Sequence, residues 1–202
     1  MKLYFVRHGE SISNIQKNVV NFTDELTDNG RKQAQHLAES ISTLPIDIII
    51  ASPHKRTQET AEIINKTIGK IIQFSPLIGE KKWPSEFEGK SLKNSEVEKF
   101  FELSKEKNNT EPTWHYSDEE NFIDIKKRAG LFLEYISGSA YENILVVSHE
   151  YFIKMVIAIL MHGDQLSYEI FRNFYSITPL SNASLTLCEK KQDLWKLITL
   201  SE

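Results

Sequence analysis

Short apolar runs alternate with segments of helical spacing along most of this chain. The runs at residues 3–6, 46–51 and 143–147 are almost uninterrupted and have the length of buried strands. A weaker strand candidate covers residues 71–74. Because helical segments separate these runs, the pattern predicts a three-layer α/β fold.

Helix start signals set several boundaries. Ser11 can cap a short helix that ends near Lys17, because its hydroxyl can accept a hydrogen bond from an early helical N–H. Thr27 can cap a longer helix that runs to about Ile41 in the same way. Other helices are expected over residues 54–66, 95–107, 118–137, 151–161 and 165–173. Alternating residues predict an edge hairpin formed by residues 184–189 and 194–198.

The pattern breaks down after residue 74. Pro76, Gly79, Pro84 and Gly89 punctuate the next stretch, which predicts an irregular loop, and a charged helix follows it. Long irregular loops in compact domains are often functional. We therefore expect a single domain over residues 1–202, with a small helical and loop cap inserted at about residues 75–117.

Chemically useful side chains follow three of the strand candidates. Arg7 and His8 end the first run, Arg56 lies just beyond the second, and His149 follows the third. In an open α/β sheet, ligands bind outside the carboxyl ends of the strands. Two guanidinium groups and two imidazoles at one edge favour a small dianion, of which phosphate is the commonest.

Four sequence blocks carry a resemblance to a known family, the histidine phosphatase superfamily, which includes the cofactor-dependent phosphoglycerate mutases. The blocks occur in the family's order and cover residues 1 to about 160. They are Arg7-His8-Gly9-Glu10-Ser11 with Asn14, Leu26-Thr27 with Gly30, Gln33 and Ala34, Ser52-Pro53 with Arg56, Thr60 and Ala61, and Val147-Ser148-His149. The resemblance implies an α/β/α sandwich with a mostly parallel sheet, as in the phosphoglycerate mutases.

The resemblance also implies roles for the residues at the strand ends. His8 is expected to be the nucleophile that carries the phosphoryl group, because a neutral imidazole can attack phosphorus. Arg7 and Arg56 are expected to bind the phosphoryl oxygens, with His149 as a third donor. Ser11 and Asn14 are expected to assist in the same phosphate pocket, or to serve only at the start of the short helix.

A carboxyl group must protonate the leaving group and then deprotonate water. The family's acid lies on the loop after the strand candidate at residues 71–74. Glu80 fits that position best, with Glu86 as the alternative. Glu150 stands where many family members have Gly, and its carboxylate could repel phosphate or face the other end of the substrate. Four aromatic residues could line a pocket for the leaving group or could simply pack in the core: Trp83, Phe87, Trp114 and Tyr151.

The leading functional prediction is a metal-independent phosphomonoesterase of histidine acid phosphatase type, without a cofactor. A phosphoglycerate mutase is the nearest alternative, although Ser13 stands where the mutases usually carry Trp. A metal hydrolase that uses His8, Glu10, His149 and Glu150 is another alternative. A non-catalytic relative that binds a phospholigand or a partner is the third.

Composition limits the partners. The chain has 202 residues, 40% of them hydrophobic and 26% charged, with a net charge of −4, which gives no overall case for nucleic acid or an anionic membrane. Cys188 is the only cysteine, so no disulfide can form within the chain. The apolar run at residues 151–161 is shorter than the roughly 20 residues that a bilayer requires. We expect a soluble cytoplasmic protein that acts on a phosphorylated small molecule, and the pattern leaves the substrate and the oligomeric state open.

Overall fold

A six-stranded sheet forms the centre of the computed structural model, which describes residues 1–192 and 194–202. The spatial order of the strands is β3-β2-β4-β1-β5-β6. Their bounds are β1 (Lys2–Arg7), β2 (Ile48–Ala51), β3 (Ile72–Phe74), β4 (Asn143–Ser148), β5 (Leu185–Lys191) and β6 (Leu194–Thr199). Strands β3, β2, β4 and β1 are mutually parallel, and β5 and β6 continue the sheet as an antiparallel hairpin at its edge. The mostly parallel sheet and the edge hairpin are therefore confirmed.

Within the described residues, seven α-helices surround the sheet. They are α1 (Ile12–Gln16), α2 (Asp28–Ser40), α3 (Lys55–Ile68), α4 (Ser95–Thr110), α5 (Phe122–Ser137), α6 (Glu150–His162) and α7 (Tyr168–Ile177). Short 3-10 helices cover Pro76–Ile78, Ser85–Phe87 and Gly163–Gln165.

The two faces of the sheet bury alternate residues of each strand. Leu3 and Phe5 of β1 belong to a core cluster that includes residues of α5, α6 and α7. Tyr4 and Val6 belong to a second cluster, which includes residues of α2 and α3. Successive side chains of a strand point to opposite faces, so both faces are covered and the predicted three-layer sandwich is confirmed.

The predicted starts of two helices were wrong, and α7 also ends at Ile177 rather than at residue 173. Helix α5 begins at Phe122 rather than at Asp118, because the Asn121 side chain accepts a hydrogen bond from the Asp124 N–H and caps the helix there. Helix α7 begins at Tyr168 rather than at residue 165, since the Ser167 side chain caps it. In both cases the capping side chain sets the boundary.

A third, smaller hydrophobic cluster lies in the stretch expected to form the cap. Val97 and Phe100 of α4 pack with Phe87 and with Val19 from the loop after α1. Partly buried Trp83 and Phe101 pack against them. The 3-10 helix Ser85–Phe87 and α4 thus share a core of their own beside the main sheet.

Gly9 and Gly30 make a close contact between main chains just beyond β1. A Cβ atom at Gly9 would lie 2.4 Å from the Gly30 carbonyl oxygen, and one at Gly30 would lie 2.1 Å from the Glu10 carbonyl oxygen. Any side chain at either position would push α2 away from the end of β1. The two glycines therefore let the start of α2 hold the segment that carries His8.

No helix within residues 1–192 and 194–202 has the length and apolar character needed to cross a membrane.

Candidate active site

The three strands that end in chemically useful residues are neighbours in the sheet. Strand β4 lies between β2 and β1 and is parallel to both, so their carboxyl ends meet at one edge. The ring centroids of His8 and His149 are 5.3 Å apart there. Arg56 projects from the first turn of α3 and contacts both rings. The convergence that the sequence predicts is present.

His8 is held in one tautomer. Its Nδ1 lies 2.7 Å from the Gly9 carbonyl oxygen, which can only accept, so Nδ1 carries the proton. Its Nε2 lies 3.1 Å from Arg56 Nε, which can only donate, so Nε2 keeps its lone pair. Burial, with the charges of Arg56 and Arg7, lowers the pKa of His8 well below its ordinary value. The imidazole is therefore neutral, with a basic nitrogen directed at a guanidinium.

His149 belongs to a chain of hydrogen bonds that includes Ser52 and Arg56, two residues of the same sequence block. Its Nδ1 accepts from Arg56 Nη2 at 2.9 Å, and its Nε2 lies 2.8 Å from Ser52 Oγ. Because Nδ1 accepts, Nε2 carries the proton and donates to Ser52, whose hydroxyl in turn lies 2.9 Å from His54 Nδ1. Burial first, and then Arg56, lower the pKa of His149 well below its ordinary value.

His54 had no role in the sequence analysis. Its ring lies 4.7 Å from that of His149 and, on another side, 4.7 Å from that of Phe22. Burial, together with the charges of Arg56 and Arg128, lowers the pKa of His54 to about 3. The signal that could have revealed it is its place three residues after the end of β2, beside the other strand-end groups.

Arg7 has one side of its guanidinium fixed and one donor free. Its Nη1 donates to the Leu180 carbonyl oxygen and lies 3.1 Å from Glu150 Oε2. Its Nε is buried and has no hydrogen-bond partner within the residues that the structure describes. A buried guanidinium N–H without a partner at an active-site edge is a donor suited to an anionic oxygen.

Glu150, which was expected either to repel phosphate or to face the other end of the substrate, is paired with two cations. Its carboxylate is bound to Arg7 on one side and to Lys154, at 2.5 Å, on the other. Lys154 is only 1% exposed and also donates to the Tyr175 carbonyl oxygen at 3.1 Å. Two cations neutralise the carboxylate, so Glu150 orients Arg7 instead of presenting a free negative charge to phosphate.

Two further polar residues hold the His8 segment in place. Asn182 Nδ2 donates to the His8 carbonyl oxygen at 3.0 Å and to Asn14 Oδ1 at 3.1 Å. Thr60 accepts from the Gly9 N–H at 3.1 Å and donates to the Arg56 carbonyl oxygen at 2.7 Å. Sequence reasoning missed Asn182, because a lone Asn in a loop before the edge hairpin carries no pattern.

Glu80 lines the same pocket as His8 and Arg7. Burial raises its pKa, while the nearby Arg56 and the Lys81 N–H act in the opposite direction. Glu86 lines a separate cavity beside α4 and accepts a hydrogen bond from Ser117. Of the two candidate acids, only Glu80 is placed beside the strand ends.

The Glu80 loop is attached to the rest of the fold by Arg128. Its guanidinium donates to the carbonyl oxygens of Leu77, Gly79 and Glu80. The same group is paired with Glu120 at 2.6 Å. Arg128 was also missed, although a charged residue one turn after Ile125 on the buried stripe of α5 is a detectable signal.

The pocket has a volume of about 420 Å³. Of the predicted site residues, Arg7, His8, Asn14, Glu80 and Glu150 lie on its wall. Arg56 and His149 are fully buried directly behind His8, and buried Ser11 does not reach the wall. Among the aromatic candidates Trp83 and Tyr151 line the pocket, whereas Phe87 and Trp114 do not.

The carboxylates considered for a metal site have other partners. Glu10 accepts a hydrogen bond from the Thr27 hydroxyl at 2.7 Å, and Glu150 is bound to Arg7 and Lys154. Across the described ranges 1–192 and 194–202, no three His, Cys, Asp or Glu side chains are grouped so that they could hold a metal ion.

Comparison with known proteins agrees with this geometry. The model of the histidine phosphatase superfamily (branch 1) matches residues 3–202. A candidate phosphoserine phosphatase of Hydrogenobacter thermophilus is 31% identical over 154 residues, which cover 73% of this chain and 72% of the relative. A candidate phosphoglycerate mutase of an Enterobacter species is 41% identical over 81 residues, but these cover only 40% of this chain and 38% of the mutase.

Solved structures share the fold. The crystal structure of a candidate α-ribazole-5′-phosphate phosphatase of Escherichia coli superposes with a TM-score of 0.83 at 24% identity, over 100% of this chain and 97% of the other. The chain therefore belongs to the histidine phosphatase superfamily. The family model and the phosphatase relatives support the predicted class, a phosphoric monoester hydrolase.

Proposed function

We propose that this protein hydrolyses phosphomonoesters by two displacements at phosphorus, with His8 as the nucleophile and without a metal ion. The observation that carries the proposal is the fixed tautomer of His8. Its Nδ1 proton is bound to the Gly9 carbonyl oxygen, and its Nε2 lone pair faces Arg56. A neutral imidazole oriented in this way can attack without first losing a proton.

In the first displacement, His8 Nε2 forms a bond to phosphorus and the ester P–O bond breaks. The phosphoryl oxygens take over the Arg56 N–H donor that now faces His8, and they accept from the free Nε of Arg7. Fixed donors of this kind stabilise the charge that develops in the transition state. A bound dianion also favours protonation of His149, which then serves as a further donor.

The departing oxygen receives a proton from Glu80, whose raised pKa favours the carboxylic acid. In the second displacement, the Glu80 carboxylate takes a proton from water, and the water oxygen attacks phosphorus. The P–N bond to His8 then breaks, which releases inorganic phosphate and restores the free imidazole. One carboxyl group thus serves both displacements.

The remaining predictions complete the proposal. Residues 75–117 act as a cap beside the pocket within one domain, because they carry Glu80 and Trp83 and have a small hydrophobic cluster of their own. Asn14 helps to hold the His8 segment through Asn182. The cytoplasmic location stays a prediction, and histidine acid phosphatase chemistry is the proposed subtype.

The test is hydrolysis of a generic aryl phosphate in the presence of excess chelator. Wild type should turn over, and His8→Ala should lose about 10⁴-fold or more in kcat, since it lacks the nucleophile. His36→Ala, which removes an exposed histidine of α2, is the matched control and should keep full activity. Turnover that survives in His8→Ala, or that stops when the chelator is added, would overturn the proposal.

A phosphoglycerate mutase is the second candidate, and the similarity of an 81-residue stretch to a candidate mutase favours it. A mutase uses the same phosphohistidine but returns the phosphoryl group to the sugar acid. Isomerisation of phosphoglycerate that is stimulated by its bisphosphate, and that exceeds hydrolysis, would favour this candidate. A protein that binds phosphate esters without turning over either substrate would be the non-catalytic relative.

A further inference from the structure

The wall of the pocket that contains His8 combines charged groups with a set of apolar and aromatic side chains. Beyond the charged groups, the wall consists mainly of apolar and aromatic side chains. They are Val19, Val20, Trp83, Leu92, Phe101 and Tyr151. This is the region into which the alcohol portion of a phosphate ester bound at His8 would extend.

Three of these side chains form a continuous aromatic wall. The Trp83 ring meets Phe101 nearly edge-on, with centroids 5.1 Å apart, and meets Tyr151 in the same way at 6.1 Å. The three residues come from the loop after β3, from α4 and from α6, and Trp83 and Phe101 also pack on the small hydrophobic cluster. Interlocked rings of this kind provide a rigid surface for another ring.

Apart from Arg7, His8, Glu80 and Glu150, charged groups on the pocket wall are scarce. The carboxylate of Glu150 is already bound by Arg7 and Lys154, so it is not available to a cationic substrate group. Lys17, an exposed side chain just after α1, is the only basic residue on the pocket wall besides Arg7 and His8, as far as the described residues show. Lys81 lies 4.1 Å from the centre of the Trp83 ring but does not reach the wall. A second anionic group on the substrate would therefore find no buried cation.

Resting on the proposed phosphomonoesterase activity, we propose that the substrate is a phosphomonoester of an uncharged alcohol that carries an aromatic or similarly flat apolar group. The ring packs against Trp83, Phe101 and Tyr151 while the phosphoryl group lies at His8. The pocket volume of about 420 Å³ falls within the range of typical small-molecule sites. A small sugar acid would leave the aromatic wall uncovered.

The test compares two alkyl phosphates whose alcohols are nearly equal as leaving groups. We expect kcat/KM for phenethyl phosphate to exceed that for ethyl phosphate by about tenfold or more, because only the former covers the aromatic wall. Trp83→Ala and Phe101→Ala should each move this ratio towards one. The ratio does not depend on how much of a variant is folded, so partial misfolding cannot imitate the effect.

Phe74→Ala, which removes an aromatic ring of β3 that is 45% exposed and is not on the pocket wall, is the control and should leave the ratio unchanged. Equal kcat/KM values for the two esters in wild type, or an unchanged ratio in both pocket variants, would overturn the inference. Calorimetry with phenethyl phosphonate and ethyl phosphonate measures the same preference without turnover. Preferential binding of phenethyl phosphonate without hydrolysis of any ester would refute the proposed phosphomonoesterase activity but support the inferred preference for an aromatic alcohol. Hydrolysis of both esters without a preference would support the activity and refute the inferred preference.

Discussion

The two ends of the pocket are built by different means. At the phosphate end, His8 and His149 follow neighbouring strands whose register is fixed by main-chain hydrogen bonds, and both rings are almost fully buried. At the aromatic wall, Trp83 and Phe101 depend on side-chain packing within a stretch that has little regular structure before α4. Backbone pairing thus places the proposed chemistry, whereas side-chain packing shapes the space for the alcohol. Substitutions at the two ends should therefore affect different kinetic constants.

A substitution of Glu80 is the strongest test of this difference between the two ends of the pocket. Glu80 lies on the irregular stretch but is proposed to act at the phosphate end. Glu80→Gln should lower kcat for an alkyl phosphate by about 10³-fold, since the variant cannot protonate a poor leaving group. Wild-type kcat should fall as the pH rises through the raised pKa of Glu80, because the acid form is lost, and this limb should be absent in the variant.

Glu86→Gln is the matched control for Glu80→Gln, since Glu86 lies on the same stretch but lines another cavity. It should retain wild-type turnover and the same pH profile. For an aryl phosphate, whose leaving group needs little protonation, Glu80→Gln should leave kcat/KM much less affected, although kcat should still fall because the second displacement uses the Glu80 carboxylate. If the two variants behave alike with the alkyl ester, Glu80 is not the acid.

Arg56→Lys sharpens the comparison at the buried end. A lysine keeps the charge but cannot contact His8, His149 and the Asn21 carbonyl oxygen together, as the guanidinium does. We expect kcat to fall about 10²-fold for aryl and alkyl phosphates alike, with the ratio of phenethyl to ethyl phosphate unchanged. Lys55→Ala, at the exposed neighbour on α3, should have no effect. A changed ratio would mean that the two ends are not independent.

Glu150→Gln should have a smaller effect, confined to binding. Arg7 would keep its contact with the Leu180 carbonyl oxygen but lose its charged partner, so its orientation would be less fixed. We expect KM to rise about fivefold while kcat stays near the wild-type value. Glu169→Gln, an exposed position on α7, serves as the control. A fall in KM would instead show that Glu150 repels phosphate.

Acid stability should show the smallest effect. Burial lowers the pKa of His54 from 6.5 to about 3, so between these pH values the imidazole is protonated in the unfolded chain but neutral in the folded chain. The stabilisation is complete above pH 6.5 and is lost as the pH falls below it. Between pH 7 and 5, the free energy of unfolding of His54→Asn should decline by about 1–2 kcal/mol less than that of wild type, as measured by urea titration. If the free energies of unfolding of wild type and His54→Asn declined in parallel, the His54 ring would have to be exposed to water in the folded protein.

Much of the phosphate end could be predicted from the sequence. Apolar runs define strands, and polar residues at their ends must meet when the strands are parallel, so His8, Arg56 and His149 were found together. Their shared hydrogen bonds could not be predicted, because they depend on tautomers and on side-chain angles. Asn182 acts through the His8 carbonyl oxygen, and a contact of that kind leaves no residue pattern, whereas the place of Arg128 on the buried stripe of α5 is a detectable signal.

The aromatic wall was only partly foreseen. Trp83 and Tyr151 were among four aromatic candidates, but nothing in their spacing separated them from Phe87 and Trp114. Phe101 was not among the candidates. It lies on the charged helix α4, and the sequence of a helix does not show which other segment its apolar residues contact. Contacts between segments far apart in the chain decide which rings face the pocket, and periodicity reports only on local structure.

The central position of β1 has a consequence for how the protein is made. Its partners are β4 and β5, with Lys2 opposite Asn143 on one side and Leu3 opposite Cys188 on the other. Pairing over such sequence distances is slow, and unpaired strand edges invite aggregation before it is complete. His8 therefore acquires its working surroundings only after residues 143–148 have been synthesised and have paired with β1, so a chain that lacks β4 has no complete active site.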